Sequence, residues 1–252
     1  MRSEMRREVR SEVHAEMRAQ ELINMGQGGR AARPPASAQS QAGARLLDAY
    51  GSLADSGEHL FGRLLMGNAP TQWAHYPEDD AFCRSGGYQW FYHSHSPEDR
   101  PGAVEHGHIH LFARRPLWGR RLQSNSEKAF AELCGHASSK ANTRHLLTIG
   151  FDAKGIPISL FTVNSWVTCD LMLGAALSWE LLSEMELDTG NELIDAVIES
   201  TVRLHLPELA KLLDARDRAL ATHAAPNLLE DPTLELLSEL PIDLDARLKV
   251  LG

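Results

Sequence analysis

Between Gly86 and Arg115 the chain reads GGYQWFYHSHSPEDRPGAVEHGHIHLFARR, and two stretches of it alternate with a period of two. Successive residues of a β-strand point to opposite faces of its sheet, whereas a helix repeats every ~3.6 residues. Tyr88, Trp90 and Tyr92 therefore share one face of a first strand, and Gly107, Ile109 and Leu111 share one face of a second. Other positions of the tract carry His93, His95, His106, His108 and His110, five of the twelve histidines of the chain. The pattern commits the middle of the chain to a sheet with one apolar face and one face bearing imidazoles.

Register decides which imidazoles meet. If His93 faces His108 and His95 faces His106, all five share a face. A slip of one residue sets His95 against Glu105 and turns the other three away. Both arrangements suit a metal, because residues two apart on a strand, or on strands ~4.8 Å apart, can converge on one ion. The first makes a His-rich site and the second a set of two histidines and one carboxylate suited to iron or manganese. The cofactor this implies is a divalent metal ion, with iron, zinc and manganese not distinguished. His93, His95, His106, His108 and His110 are the candidate ligands, and Glu105 and His108 the candidate catalytic residues, Glu105 as ligand or base.

Charge and cysteine content narrow the classes. A formal net charge of −9 over 252 residues argues against a general nucleic-acid binder, which needs a basic face. Cys83, Cys134 and Cys169 lie far apart without a CxxC, as in a reduced, cytoplasmic protein. The N-terminus lacks the apolar run of a signal peptide, and the longest apolar stretch, Leu171 to Leu177, is far too short to span a bilayer. The expected partner is a small-molecule substrate, with no nucleic acid and no membrane.

Residues 1–24 carry Met1, Met5, Val9, Val13 and Met17 at four-residue spacing between arginines and glutamates. This predicts an amphipathic helix, solvated or used for partner binding or self-association. Residues 25–43 are rich in small residues, proline and glycine and read as a flexible linker. Residues 44–252 form a single domain. It opens with a helix over ARLLDAYGSLADSGEHLFGRLL, weakened at Gly51 and Gly57, and a loop follows from Ala69 to Ser85 with His75 in reach of the histidine strands. After those strands, SNSE at 124–127 resembles a helix cap, and two apolar runs flank a hairpin turn at Asp152 to Gly155. His145, in the first of these runs, is a remote ligand or strand surface. A long buried helix is predicted over Val167 to Met185, then two more helices and an acidic tail of short amphipathic pieces. The fold class is α+β: an antiparallel sheet of four or more strands, packed by helices mostly from the C-terminal half.

Where the last of these strands meets the long helix, Asn164, Trp166 and Asp170 stand among bulky apolar residues. They are candidates to line a pocket over the sheet, with helix capping by Ser165 or Thr168 as the plainer role.

Two resemblances can be placed on these motifs. His106-Gly-His108-Ile-His110-Leu-Phe112 superficially resembles the strand of the histidine-triad nucleotide hydrolases, which implies phosphate chemistry with His108 as nucleophile. It covers seven residues, and its first spacer is glycine where that family has a bulky apolar residue. The combination of YQWFYHSHS, EHGHIHLFAR and GIPISLFTVNSWVT resembles a bacterial domain family of unknown function, over roughly residues 45 to 245. That resemblance implies one domain with the N-terminal tract as an appendage, and implies no activity or cofactor. The sequence thus points first to a metal-dependent enzyme whose two-strand site activates water, oxygen or a small-molecule substrate. The alternatives are a metal- or haem-binding module without turnover, and triad-like phosphate chemistry.

Overall fold

The computed structural model describes residues 16, 17, 20, 21, 24, 36–95, 104–134, 142–223 and 227–251. Most of the predicted N-terminal helix therefore lies outside the described residues; the five that are described are helical and exposed.

Six antiparallel strands form one sheet: β1 (Tyr76–Phe82), β2 (Tyr88–Ser94), β3 (Gly107–Arg114), β4 (Thr143–Phe151), β5 (Pro157–Val163) and β6 (Leu236–Pro241). Their order across the sheet is their order in the chain, a pure meander. Helices α1 (Ala36–Ser56), α2 (Asn125–Leu133), α3 (Ala175–Ser183), α4 (Glu192–Leu204), α5 (Leu206–Thr222) and α6 (Leu244–Leu251) accompany it, and the fold is α+β. Among the described residues no helix is long and apolar enough to cross a membrane.

The alternation predicted for β2 and β3 divides the sheet as expected. Trp90, Tyr92, Ile109, Leu111, Ile149 and Leu160 face a core that also takes Leu46 and Leu53 from α1, Leu177 from α3, Val197 and Val202 from α4 and Leu209 from α5. Three indole and phenol groups carried into this layer are matched. Trp90 Nε1 donates to Asp195 Oδ1 at 3.0 Å, Tyr88 Oη donates to the Leu181 carbonyl at 2.8 Å, and Trp179 Nε1 donates to the Leu206 carbonyl at 3.1 Å. The predicted hairpin joins β4 to β5, with Asp152 Oδ1 accepting from the backbone N–H groups of Lys154 and Ile156.

Four features differ from the sequence reading. The tract taken as a loop contains β1, an edge strand whose pairing with β2 is interrupted between Tyr76 and Ala81. Its Pro77 and acidic triplet are what a protected sheet edge tolerates, and they hide the strand from a hydrophobicity pattern. The acidic tail supplies β6, which closes the other edge by pairing Leu160 with Leu240 and Ser159 with Pro241. Helix α1 begins at Ala36, inside the stretch read as linker, because Gln39, Ala42 and Gly43 are buried there and Gly43 lies against Leu248 of α6. It runs through Gly51 and ends at Ser56, before Gly57 with φ +67°. The helix predicted over Val167 to Met185 is broken: a single turn spans Ser165–Thr168, Cys169 takes φ +57°, and Met172 bridges to His145 before α3 starts.

Ser124 caps α2 as predicted, accepting from the Glu127 N–H at 3.3 Å. The Glu127 carboxylate, however, turns inward and accepts the Gly174 N–H at 3.1 and 3.2 Å. Burial pushes this carboxyl up to about 7 from an ordinary 4.5, and the Gly174 N–H opposes the shift. An acid with a raised pKa in the folded state holds its proton more tightly folded than unfolded, so its contribution to stability falls as pH rises through this window and then levels off. Glu127→Gln keeps an oxygen for Gly174 and removes the charge. It should raise stability by ~1–3 kcal/mol at about pH 8 and change it little at about pH 5. Thermal melts at the two pH values test this, and an equal effect at both would remove the buried charge as its cause.

Candidate metal centre

On the second face of the sheet, pairing sets imidazole against imidazole. His93 lies directly opposite His108, and Phe91 opposite His110. On the other side of β3, His108 pairs with Gly150, His110 with Thr148 and Phe112 with His145. The register is the first of the two alternatives, yet Glu105 joins the site as well. It lies just ahead of β3, outside the ladder, and its Oε1 is 2.8 Å from His108 Nδ1.

The imidazoles are packed ring to ring. Centroids of His93 and His108 are 4.3 Å apart, those of His95 and His108 4.8 Å, and those of His93 and His95 5.1 Å. One donor nitrogen from each of these three lies within 4.8 Å of the other two, and the trio is the one set of three or more metal-binding side chains so placed among the described residues. Two nitrogens bound to one tetrahedral zinc sit roughly 3.3 Å apart. Small side-chain rotations close the difference, so the trio is positioned to hold a metal ion.

Behind the trio a hydrogen-bonded chain runs into the protein. His108 Nε2 is 3.0 Å from His110 Nε2, and His110 Nδ1 lies 3.2 Å from His145 Nε2 and 3.1 Å from Thr148 Oγ1. Burial, then the nearby His108, His145, His93 and His75, hold His110 well below the usual imidazole range. Burial and Arg216, with His108, push His145 down to about 3. Both rings are therefore neutral, each with one N–H donor and one bare acceptor. One assignment satisfies the chain: His108 Nδ1–H donates to Glu105, His110 Nε2–H donates to His108 Nε2, and His110 Nδ1 accepts from Thr148 or His145. Apolar rings enclose it, with Phe91 5.1 Å from His110, Phe112 5.3 Å from His145 and Phe161 5.4 Å from His108.

His106 does not join the cluster. It precedes β3, is exposed, and donates its backbone N–H to the Phe151 carbonyl. The first paired residue of β3 is Gly107, where a Cβ would strike the Tyr92 ring and the His93 carbonyl. The chain is pinned at that point, and the ring before it is left to solvent. A histidine-triad strand thus lacks its first member here. Asn164, Trp166 and Asp170 are likewise placed apart from the imidazoles. Asn164 is spent as the helix cap of Ser165 and as donor to the Leu228 carbonyl. Trp166 donates to the Leu234 carbonyl, and Asp170 accepts from Thr143 Oγ1 at 2.5 Å. His75 does reach the site's edge, stacked on Phe91 at 3.7 Å and 6.5 Å from His93.

Two contributors could not be placed from the sequence, which left His145 open between remote ligand and strand surface and did not single out Gly150. His145 belongs on the imidazole face only because the β3–β4 register shifts between Leu111 and Phe112, leaving Leu146 as an extra residue. The signal was the consecutive Leu146 and Leu147, which break the alternation leading to Thr148. Gly150 stands across from His108, and a Cβ there would strike Ser159 Oγ and Glu105 Oε2. The absent side chain is the space in which the Glu105 carboxylate reaches His108. Gly150→Ala should therefore expel Glu105 and destabilise the fold by ~1–3 kcal/mol. Denaturant unfolding measures the loss; a variant as stable as the parent would show that the carboxylate needs no such space.

No curated protein and no solved structure matches the chain. A family model described as a domain of unknown function (DUF6969) matches residues 40–242, a span that contains every residue of the cluster. The chain belongs to this domain family of unknown function.

Proposed function

We propose that His93, His95 and His108 bind one divalent metal ion and that the protein is an enzyme acting on a small-molecule substrate at that ion. The observation that carries this reading is the convergence of their three donor nitrogens within 4.8 Å, with His93 and His108 buried and His95 partly exposed. Three neutral imidazoles with one position left open form a zinc-type donor set. Glu105 contacts the far nitrogen of His108, the place of an outer carboxylate that fixes tautomer and ring orientation, so zinc is favoured over the iron or manganese of a His-carboxylate set.

When bound, the ion supplies Lewis-acid activation of water or of a substrate oxygen. Glu105 holds the proton on His108 Nδ1 and so leaves Nε2 as its bare nitrogen. To ligate the ion that lone pair would give up the hydrogen bond from His110 Nε2–H, and the His110 proton would pass to Nδ1, toward Thr148. His93 and His108 lie on adjacent paired strands, which fixes the distance between two of the ligands. Phe91 and Phe161 exclude water from the inner side and strengthen the electrostatics of whatever binds outside.

Metal analysis of protein purified without an affinity tag should find about one equivalent. Single His93→Ala, His95→Ala and His108→Ala changes should each abolish or strongly weaken binding, whereas His106→Ala should keep it. Glu105→Gln should lower affinity by roughly 10–100-fold, as loss of an outer-shell partner does. Absence of metal, with no uptake of zinc, iron or manganese on reconstitution, would sink the proposal.

A further inference from the structure

Trp73 stands at the rim of the cluster in a conformation its residue type does not favour. The Ala74 N–H donates to the Thr71 carbonyl at 3.1 Å, making Trp73 the third residue of a β-turn, and its φ is +64°. A positive φ at that turn position is what glycine or asparagine ordinarily supplies. For a bulky side chain it costs on the order of 1–3 kcal/mol. Burial of the indole does not offset that cost, because the residue is 62% exposed. The turn is held in place by the Thr71 N–H donating to Tyr76 Oη at 2.8 Å.

The strained geometry places the indole against two of the three candidate ligands. Its ring lies 5.2 Å from His95 with the planes at 90°, and 6.0 Å from His93 at 70°. Val104, 75% exposed, precedes the Glu105 that contacts His108. The outer edge of an otherwise imidazole-lined site is thus aromatic where Trp73 stands.

We infer that Trp73 is a specificity-determining residue: it forms an aromatic wall beside the ion, selecting substrates that join an oxygen-donor head to a flat aromatic body. The inference rests on the metal reading above. The oxygen-donor head takes the open position, and the body lies along the indole, where an aromatic pair gains ~0.5–1.5 kcal/mol beyond the area it buries. Local strain is maintained in the free protein so that this wall stands ready before the ligand arrives.

Acetohydroxamate and benzohydroxamate share a metal-binding head and differ in the aryl group, so their affinities separate the two claims. On zinc-loaded protein, calorimetry should show benzohydroxamate binding roughly tenfold tighter than acetohydroxamate. Trp73→Ala should reduce that preference to about threefold or less and leave acetohydroxamate affinity unchanged, with Trp73→Phe in between. Zinc loading with an equal preference in the parent and Trp73→Ala proteins overturns this inference alone. Failure of zinc to load, or of acetohydroxamate to bind the loaded parent, overturns the metal reading and this inference with it.

Discussion

Buried imidazoles must each satisfy one donor and one acceptor nitrogen, and this requirement organises the whole second face of the sheet. An unmatched polar atom in such a place costs ~1–3 kcal/mol, and His108, His110 and His145 are each 3% exposed or less. Their solution is a single chain from Glu105 through His108 and His110 to His145 and Thr148. A carboxylate at the outer end holds the His108 proton on Nδ1, and a hydroxyl, able to donate or accept, closes the inner end. The other face carries the stability. Trp90, Ile109, Leu111 and Ile149 are entirely buried there against helices, at ~25 cal/mol per Å² of apolar surface removed from water.

Two local departures from ideal strand geometry make the imidazole face possible. The extra residue Leu146 lets both leucines remain in the main core while His145 turns to the other side. A bulge costs a ladder contact and re-aims a side chain, and here the side chain gained is the inner end of the hydrogen-bonded chain. Gly150 is the second departure. Glycine weakens a strand interior and is retained where another group must come close. The group in question is the Glu105 carboxylate, whose Cδ would lie 3.1 Å from a Cβ at this position.

What could be read from the sequence follows from which elements keep an undisturbed period. Which histidines meet depended on the register, but β2 and β3 alternate strictly, so their two faces, the histidines they carry and the α+β class were accessible from spacing. The edge strands β1 and β6 were not, because an edge needs charge and proline rather than alternating apolar residues to remain unpaired. His145 stayed open between remote ligand and strand surface because period two fails at a bulge. The start of α1 escaped because ASAQSQAG is low in apolar residues, and its burial of Gln39 and Gly43 depends on partners far along the chain, Leu204 and Leu248. His106 was over-read for the opposite reason: alternation was extended one residue beyond the point where Gly107 begins the ladder.

The placement of Glu105 shows why strand register alone could not decide the chemistry. On a strand, Glu105 and the histidines at even positions belong to opposite faces, so the carboxylate and the imidazole run exclude each other. Just ahead of β3 that parity no longer binds, and Glu105 reaches His108 while His108 keeps its place opposite His93. The site is therefore built from two kinds of support. His93, His108 and His110 are held by the ladder, where backbone pairing fixes their spacing. His95, Glu105 and Trp73 come from segments just outside it and meet that set through ring contacts and the Glu105–His108 hydrogen bond. Such a division lets the ladder fix the donor geometry, while substitutions in the flanking turns change what approaches the open side without disturbing the imidazoles beneath.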